Sequence, residues 1–280
     1  EELNTLKNTF KIDEDFLNDI MDVDERSRME VDEGKLYLIY RVPYYYSKEN
    51  GLPYATMPLG VMLSDEALIV VGSQQNDVLG EVFSKNIKKQ VDYENKIEFL
   101  FHIIDYSTIT YLKFLKQINN ETNIIESALE KSTKNEELHK LLQMEKCLVY
   151  FNTSLRSNEI LIGKLRNSKY FKNNEVDEEL VEDVIIEIKQ AIEMTHVYSD
   201  INSGMMDAFA SVISNNLNIV MKKLTIVTIA LAIPTMVASF FGMNIKNFLS
   251  ESNIAFAAIV LCSVGLAVLG VKLMQRNKMT

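Results

Sequence analysis

Apolar and polar positions fall into three regimes along the chain. Residues 1–32 are mostly polar and contain one short amphipathic segment, Phe16 to Met21. Three runs follow, Lys35–Val42, Leu59–Leu63 and Ala67–Val71, partly β-branched or aromatic. They are separated by the turn-forming Asn50-Gly51, Pro53 and Ser64-Asp65, so they predict strands. Between Asn76 and Pro234 there is no proline, and Leu, Ile and Phe recur at three- and four-residue intervals among Lys, Glu and Asn. That spacing predicts long helices, with breaks at Ser132–Asn135 and Asn173-Asn174 and a bend at Asn119-Asn120. From Glu175 one helical pattern runs unbroken to Phe241. The chain ends in two apolar spans, Leu224 to Met243 without a charge and Ile254 to Leu273 with only Lys272 near its end. At ~1.5 Å per residue, helices of ~20 residues cross a ~30 Å hydrocarbon core.

Charge sharpens this picture. Of 29 basic and 39 acidic residues, six basic ones (Lys222, Lys223, Lys246, Lys272, Arg276, Lys278) and one acid (Glu251) lie after Met221. Residues 1–221 therefore keep 23 basic and 38 acidic residues, a net of −15. Such a region repels nucleic acid and anionic lipid and attracts divalent cations. The basic residues flank the outer ends of the span pair, with only Lys246 between the spans. By the positive-inside rule both termini are expected in the cytoplasm and the hairpin outside. Cys147 and Cys262 are not expected to meet, which suits a reducing cytosol. Glu1 begins with neither an initiator Met nor a signal-peptide pattern, so the numbering is expected to start inside a longer natural chain.

The first span carries a stripe. Alternating steps of three and four from Asn218 meet Met221, Thr225, Thr228, Ala232, Thr235, Ser239 and Gly242, while the other faces are largely Ile, Leu, Val, Ala and Phe. Small and hydroxylated residues on a heptad seam allow two readings. They let membrane helices pack closely, or several copies around an axis line a pore with hydroxyls and carbonyls. Both require an oligomer, as does a helix of sixty-odd residues whose apolar face a small monomer cannot cover. Pro234 removes one backbone bond in mid-span and predicts a kink. Met221 and Leu224, one turn apart, could form a constriction that closes by dewetting.

The segment Gly204 to Asn244, GMMDAFASVISNNLNIVMKKLTIVTIALAIPTMVASFFGMN, resembles the CorA family of magnesium transporters, whose signature is Gly-Met-Asn at the outer end of the first of two C-terminal spans. Phe16 to Val31, FLNDIMDVDERSRMEV, also looks like that family's cytosolic domain, with Ser27 where proline is common. The resemblance implies an α+β cytosolic domain, long funnel helices, two C-terminal transmembrane helices and a homopentamer in the plasma membrane. It implies a pore mouth at Gly242, Met243 and Asn244, where Asn244 meets hydrated Mg²⁺, and a pore lining that includes Asn218, Met221 and Thr235, with Leu224 as an inner constriction. Thr225, Thr228 and Ser239 join that lining as members of the stripe. It further implies that Asp19 and Asp183 bind a regulatory Mg²⁺ between subunits and hold the channel closed. Asp183 belongs to an acid run, Glu175, Asp177, Glu178, Glu179, Glu182, Asp183 and Glu187.

The expected organisation is an N-terminal α/β cytosolic domain over 1–95, lacking its first strands, then antiparallel long helices over 96–174. A stalk helix continuing into the first transmembrane helix covers 175–244, an extracytoplasmic loop 245–253, and the second transmembrane helix with a basic tail 254–280. The implied function is Mg²⁺ transport down the membrane potential. The competing readings are a zinc, Co²⁺ or Ni²⁺ transporter of the same superfamily, or a non-conducting membrane-anchored sensor. No enzyme is expected: there is no phosphate-cradling glycine loop, no Ser/His/Asp or Cys/His set. His102, His139 and His196 lack zinc-ligand spacing.

Overall fold

The computed structural model of the chain describes residues 7, 9–46, 52–74, 78–82, 94–131, 135–172, 176–243 and 253–276. Two compact units form, residues 1–206 and 207–280.

The first unit is built on a four-stranded antiparallel meander in the order β1-β2-β3-β4, comprising β1 (Arg28–Asp32), β2 (Lys35–Tyr45), β3 (Tyr54–Leu63) and β4 (Leu68–Gly72). The β1–β2 hairpin turns on Glu33 and Gly34, both at positive φ (47° and 78°). Two successive left-handed residues match the twist of the strands, and only glycine adopts that region freely. Leu36 to Pro43 of β2 are all buried, as are Thr56 to Leu63 of β3. Burial on both faces explains why these strands read as continuous apolar runs rather than alternating ones.

Helix α1 (Glu14–Met21) supplies Phe16, Leu17 and Ile20 to a cluster with Ile12, Tyr37, Ile39 and Met62. Gly60 makes that approach possible. A Cβ there would lie 2.0 Å from Ile20 Cδ1, and Ile20 is fully buried with nowhere to move. Helices α2 (Lys96–Lys131) and α3 (Asn135–Arg166) pack on each other and on β2. Asn95 starts α2 with a reciprocal cap, its Oδ1 accepting from Glu98 N–H (3.3 Å) and its Nδ2 donating to Glu98 Oε2 (3.1 Å). The helix then runs through Asn119-Asn120 without a break. A single turn, α4 (Lys169–Lys172), precedes α5 (Glu178–Phe241), which has 64 residues. Asp177 caps α5 by accepting from Glu179 N–H at 2.9 Å, so the described helix starts at Glu178. Glu175 and Asn173-Asn174 lie outside the described residues. Val181, Val184, Ile188, Ala191 and Ile192 bury one stripe of α5, and Phe209 is its last buried side chain.

Three sequence expectations are corrected. β1 was not foreseen, because a short edge strand reading Arg-Met-Glu-Val-Asp is charged and largely exposed. The runs ending at Val42 and starting at Leu59 were too short, because β2 and β3 pass through Pro43 and Pro58. Both prolines lie where their strand has one neighbour only, β1 having ended opposite Ile39 and β4 opposite Leu59, so no ladder donor is missed. On that free side Asn158 of α3 stands in for a strand. Its Oδ1 accepts from Arg41 N–H (3.0 Å) and its Nδ2 donates to Arg41 C=O (2.8 Å).

In the second unit α6 (Asn253–Arg276, 24 residues) packs beside the end of α5. α5 is helical through Pro234.

Candidate functional site

Beyond Phe209 no residue of α5 is buried, and the pattern of exposure is two-sided. Ile226, Ile229, Ala230, Ile233 and Val237 are half-buried, and α6 covers this face. The approach from α6 is made by small residues: Ser263 and Ala267 are buried, and a Cβ on Gly270 would stand 3.3 Å from Ile233 Cδ1. Small residues at four- and three-residue spacing are the usual means of close contact between membrane helices. The packing seam thus belongs to α6 and not to the hydroxylated stripe of α5.

The stripe lies on the opposite side. Asn218, Met221, Leu224, Thr225, Thr228, Ala232, Thr235, Ser239, Gly242 and Met243 are all exposed in the single chain. At 100° per residue, Thr228, Thr235 and Ser239 point roughly opposite to the face taken by α6, with Thr225 and Ala232 toward one side. Their threonines share one arrangement. Thr225 donates to Met221 C=O (2.9 Å), Thr228 to Leu224 C=O (2.9 Å) and Thr235 to Leu231 C=O (2.7 Å). Each hydroxyl proton is engaged inside the helix, so the hydroxyls present lone pairs outward. A hydrated cation shows O–H donors on its outside, and acceptors are what it needs from a wall.

Gly242 closes α5 by donating to Ala238 C=O at 2.9 Å. A Cβ on Gly242 would come within 3.3 Å of that same oxygen. Asn244, Lys246 and Glu251 lie outside the described residues, as does the loop expected over 245–253. Among the described residues one helix, α5, is long and apolar enough to cross a membrane, while α6 is apolar over the sixteen residues Ala257–Lys272.

The two regulatory candidates occupy different surroundings. Asp19, on α1, is held by Arg28 of β1, with Arg28 Nη2 to Asp19 Oδ2 at 2.5 Å. Arg28 also pairs with Glu25 and, through Nε at 2.8 Å, with Glu30. Asp183 is exposed on α5, one turn before Glu187, whose carboxyl also feels the charge of Asp105 of α2, a neighbour not anticipated from sequence. No spacing rule links residues 105 and 187; only the approach of α2 to α5 does. The Glu187 carboxyl is pushed up from 4.5, first by burial and then by the charges of Asp105 and Asp183, and its Oε2 has no hydrogen-bond donor among the described residues. Among the described residues no three His, Cys, Asp or Glu side chains converge as a metal site within one chain. His196 Nε2 instead faces Arg156 Nη2 at 2.6 Å, and both cysteines are free.

The Glu187 shift has a consequence for stability. A carboxyl with a raised folded-state pKa keeps its proton while the unfolded chain has released it. Stability is therefore full below the ordinary 4.5 and is lost as pH rises toward the folded value. Glu187→Gln is expected to raise the metal-free unfolding midpoint at neutral pH by about a degree or two, the group being partly exposed, and to flatten its pH dependence just above 4.5. Thermal unfolding of EDTA-treated protein across pH 4–8 checks this.

Comparison with known proteins agrees with the architecture. Residues 1–276 match the family described as CorA-like Mg²⁺ transporter protein. The cobalt/magnesium transport protein CorA of Methanocaldococcus jannaschii is 28% identical over 256 residues, covering 90% of this chain and 79% of that protein. The Thermotoga maritima protein of the same name is 25% identical over 241 residues, 82% of this chain and 66% of the relative. The solved structure of the M. jannaschii CorA magnesium transporter superposes with a TM-score of 0.83 at 26% identity, over 100% of this chain and 88% of that one. Sheet, long apolar helix and matched length agree: the chain belongs to the CorA-like Mg²⁺ transporter family, a family of membrane transporters of divalent cations.

Proposed function

We propose that five copies of this chain surround one pore and pass hydrated Mg²⁺ into the cytoplasm down the membrane potential. The observation that carries the reading is the hydroxylated stripe of α5, left uncovered on the side opposite α6. Exposed Leu217, Val220, Val227, Leu231, Met236 and Phe240 flank it and require lipid or further copies as cover. In this arrangement α5 lines the axis and α6 is the second, outer span. The ends of the chain lie in the cytoplasm, with Lys222 and Lys223 at the inner membrane surface. Domain limits follow the sequence expectation, with the stalk starting at Glu178.

Asn244 forms the outer ring, and Gly242 lets the backbone turn there. Mg²⁺ prefers octahedral oxygen and dehydrates reluctantly, so neutral acceptors that hold its water shell suit it better than carboxylates that strip it. Thr225, Thr228, Thr235 and Ser239 continue the acceptor wall, and Asn218, Met221 and Leu224 narrow the inner end. The potential supplies ~2.3 kcal/mol per charge per 100 mV, or ~4.6 kcal/mol for Mg²⁺.

Closure is assigned to cytosolic Mg²⁺ between Asp19 of one subunit and Asp183 of the next. The donor chemistry fits, since carboxylate oxygens are hard ligands. The repulsion between Asp183 and Glu187 is also what a cation would relieve. With the ion gone, like charges oppose across the interface and the ring loosens.

The test is Mg²⁺ entry into liposomes holding the purified full-length protein. Uptake is expected under an inside-negative potential and should fall steeply when the potential is clamped to zero. Absence of uptake at every external Mg²⁺ level would overturn the channel reading. Entry of Zn²⁺ driven by a proton gradient would replace it with the carrier reading.

A further inference from the structure

We propose that Arg28 is a resident competitor for the cation at Asp19, and thereby sets how much cytosolic Mg²⁺ closure requires. This rests on the regulatory reading of Asp19. One guanidinium serves three carboxylates: Nη2 meets Asp19 Oδ2 at 2.5 Å, Nη1 meets Glu25, and Nε meets Glu30 Oε1 at 2.8 Å. Arg28 and Asp19 are each about one-third exposed, so the pair is open to an arriving ion without unfolding.

The guanidinium and a metal ion want the same lone pairs on Asp19. Arginine stays charged at any physiological pH, so it cannot leave by losing a proton and must be displaced. Displacement is easy because of the other two acids. When Mg²⁺ takes Asp19, Arg28 keeps Glu25 and Glu30 and is never left as an unpaired cation. The local count also favours the exchange, since one positive and three negative groups leave a net −2 for a divalent ion to neutralise. Arg28 stands on the edge strand β1 rather than in the core, so replacing it leaves the packing of α1 against Gly60 untouched. The ion pair is partly exposed, and competition of that strength changes an affinity about fivefold, tuning the site rather than blocking it.

The experiment follows closure without following flux. Full-length protein in nanodiscs is titrated with Mg²⁺ and exposed to chymotrypsin, which does not cut at arginine, and the Mg²⁺ midpoint for protection is read. Arg28→Gln is expected to lower that midpoint about fivefold. Arg28→Lys keeps the charge but loses the planar fork that reaches three carboxylates at once, and should lower it less. It also supplies the result if the glutamine variant does not fold. An unchanged or raised midpoint in a folded Arg28 variant, beside loss of protection in Asp19→Asn, overturns the competitor role while leaving Asp19 as a regulatory ligand. A wild-type midpoint in Asp19→Asn overturns the regulatory reading itself, and the competitor with it.

Discussion

Asn244→Ala is expected to cut Mg²⁺ uptake into proteoliposomes by on the order of a hundredfold, with folding and assembly unchanged from the wild type. Five side-chain amides would be removed together from the proposed pore mouth. Losing five neutral hydrogen-bond acceptors at about 0.5 kcal/mol each is worth ~2.5 kcal/mol, which is of that order. Because Gly242 already ends α5 with its own bond to Ala238 C=O, the helix does not depend on Asn244 for its terminus. The loss should therefore appear in ion entry and not in thermal stability. Uptake within a few-fold of wild type in the alanine variant would remove the Asn ring from the mechanism. Selectivity would then have to come from the threonine stripe further in.

The second large effect concerns Arg41, a cation buried in the first unit with 8% exposure. No carboxylate pairs with it among the described residues. Its guanidinium donates instead to Val23 C=O (2.8 Å), Glu25 C=O, Thr56 C=O (3.0 Å), Thr56 Oγ1 (2.8 Å) and Ser154 Oγ (3.0 Å). Around it Ser27 donates to Asn158 Oδ1 (2.6 Å) and Ser157 to Ser27 (2.9 Å), so the loop after α1 is tied to α3 and the sheet at one place. Arg41→Met fills similar volume and removes a desolvated charge, which offsets part of the damage. It strands three carbonyls at about 1–3 kcal/mol each, leaving a net loss of about 3 kcal/mol. For a unit of this size that is a fall in unfolding midpoint of about 6–12 °C. Thermal unfolding of the full-length protein measures it. A midpoint within a degree of wild type would show that the loop carrying Glu25 is held by something other than this clamp.

Ser27 illustrates how far sequence could be followed. From the resemblance it was a departure from a common proline. In the fold its hydroxyl is a donor to Asn158 and an acceptor from Ser157, both 130 or so positions away. The same holds for Gly60, an ordinary strand residue until Ile20 of α1 is seen resting on its Cα. Helices α2, α3 and α5 were legible because a 3.6-residue period is a local signal, repeated many times in each. The two prolines cut the predicted strands short because pairing partners, not the strand itself, decide whether a missing N–H matters.

The sequence by itself determined the regimes: acidic soluble region, long helices, an uncharged span with a hydroxylated stripe, and Gly-Met-Asn at its end. These depend on composition and short-range periodicity, which the chain carries at every point. The tertiary structure alone decided which face of α5 is covered and which is free, because α6 chooses its side through Ser263, Ala267 and Gly270. It also decided that Asp19 is already held by Arg28 and that Asp105 stands near Glu187. Those are contacts between elements that packing brings together. Coulomb forces and hydrogen bonds act over a few ångströms of space, and no spacing along the chain encodes such distances.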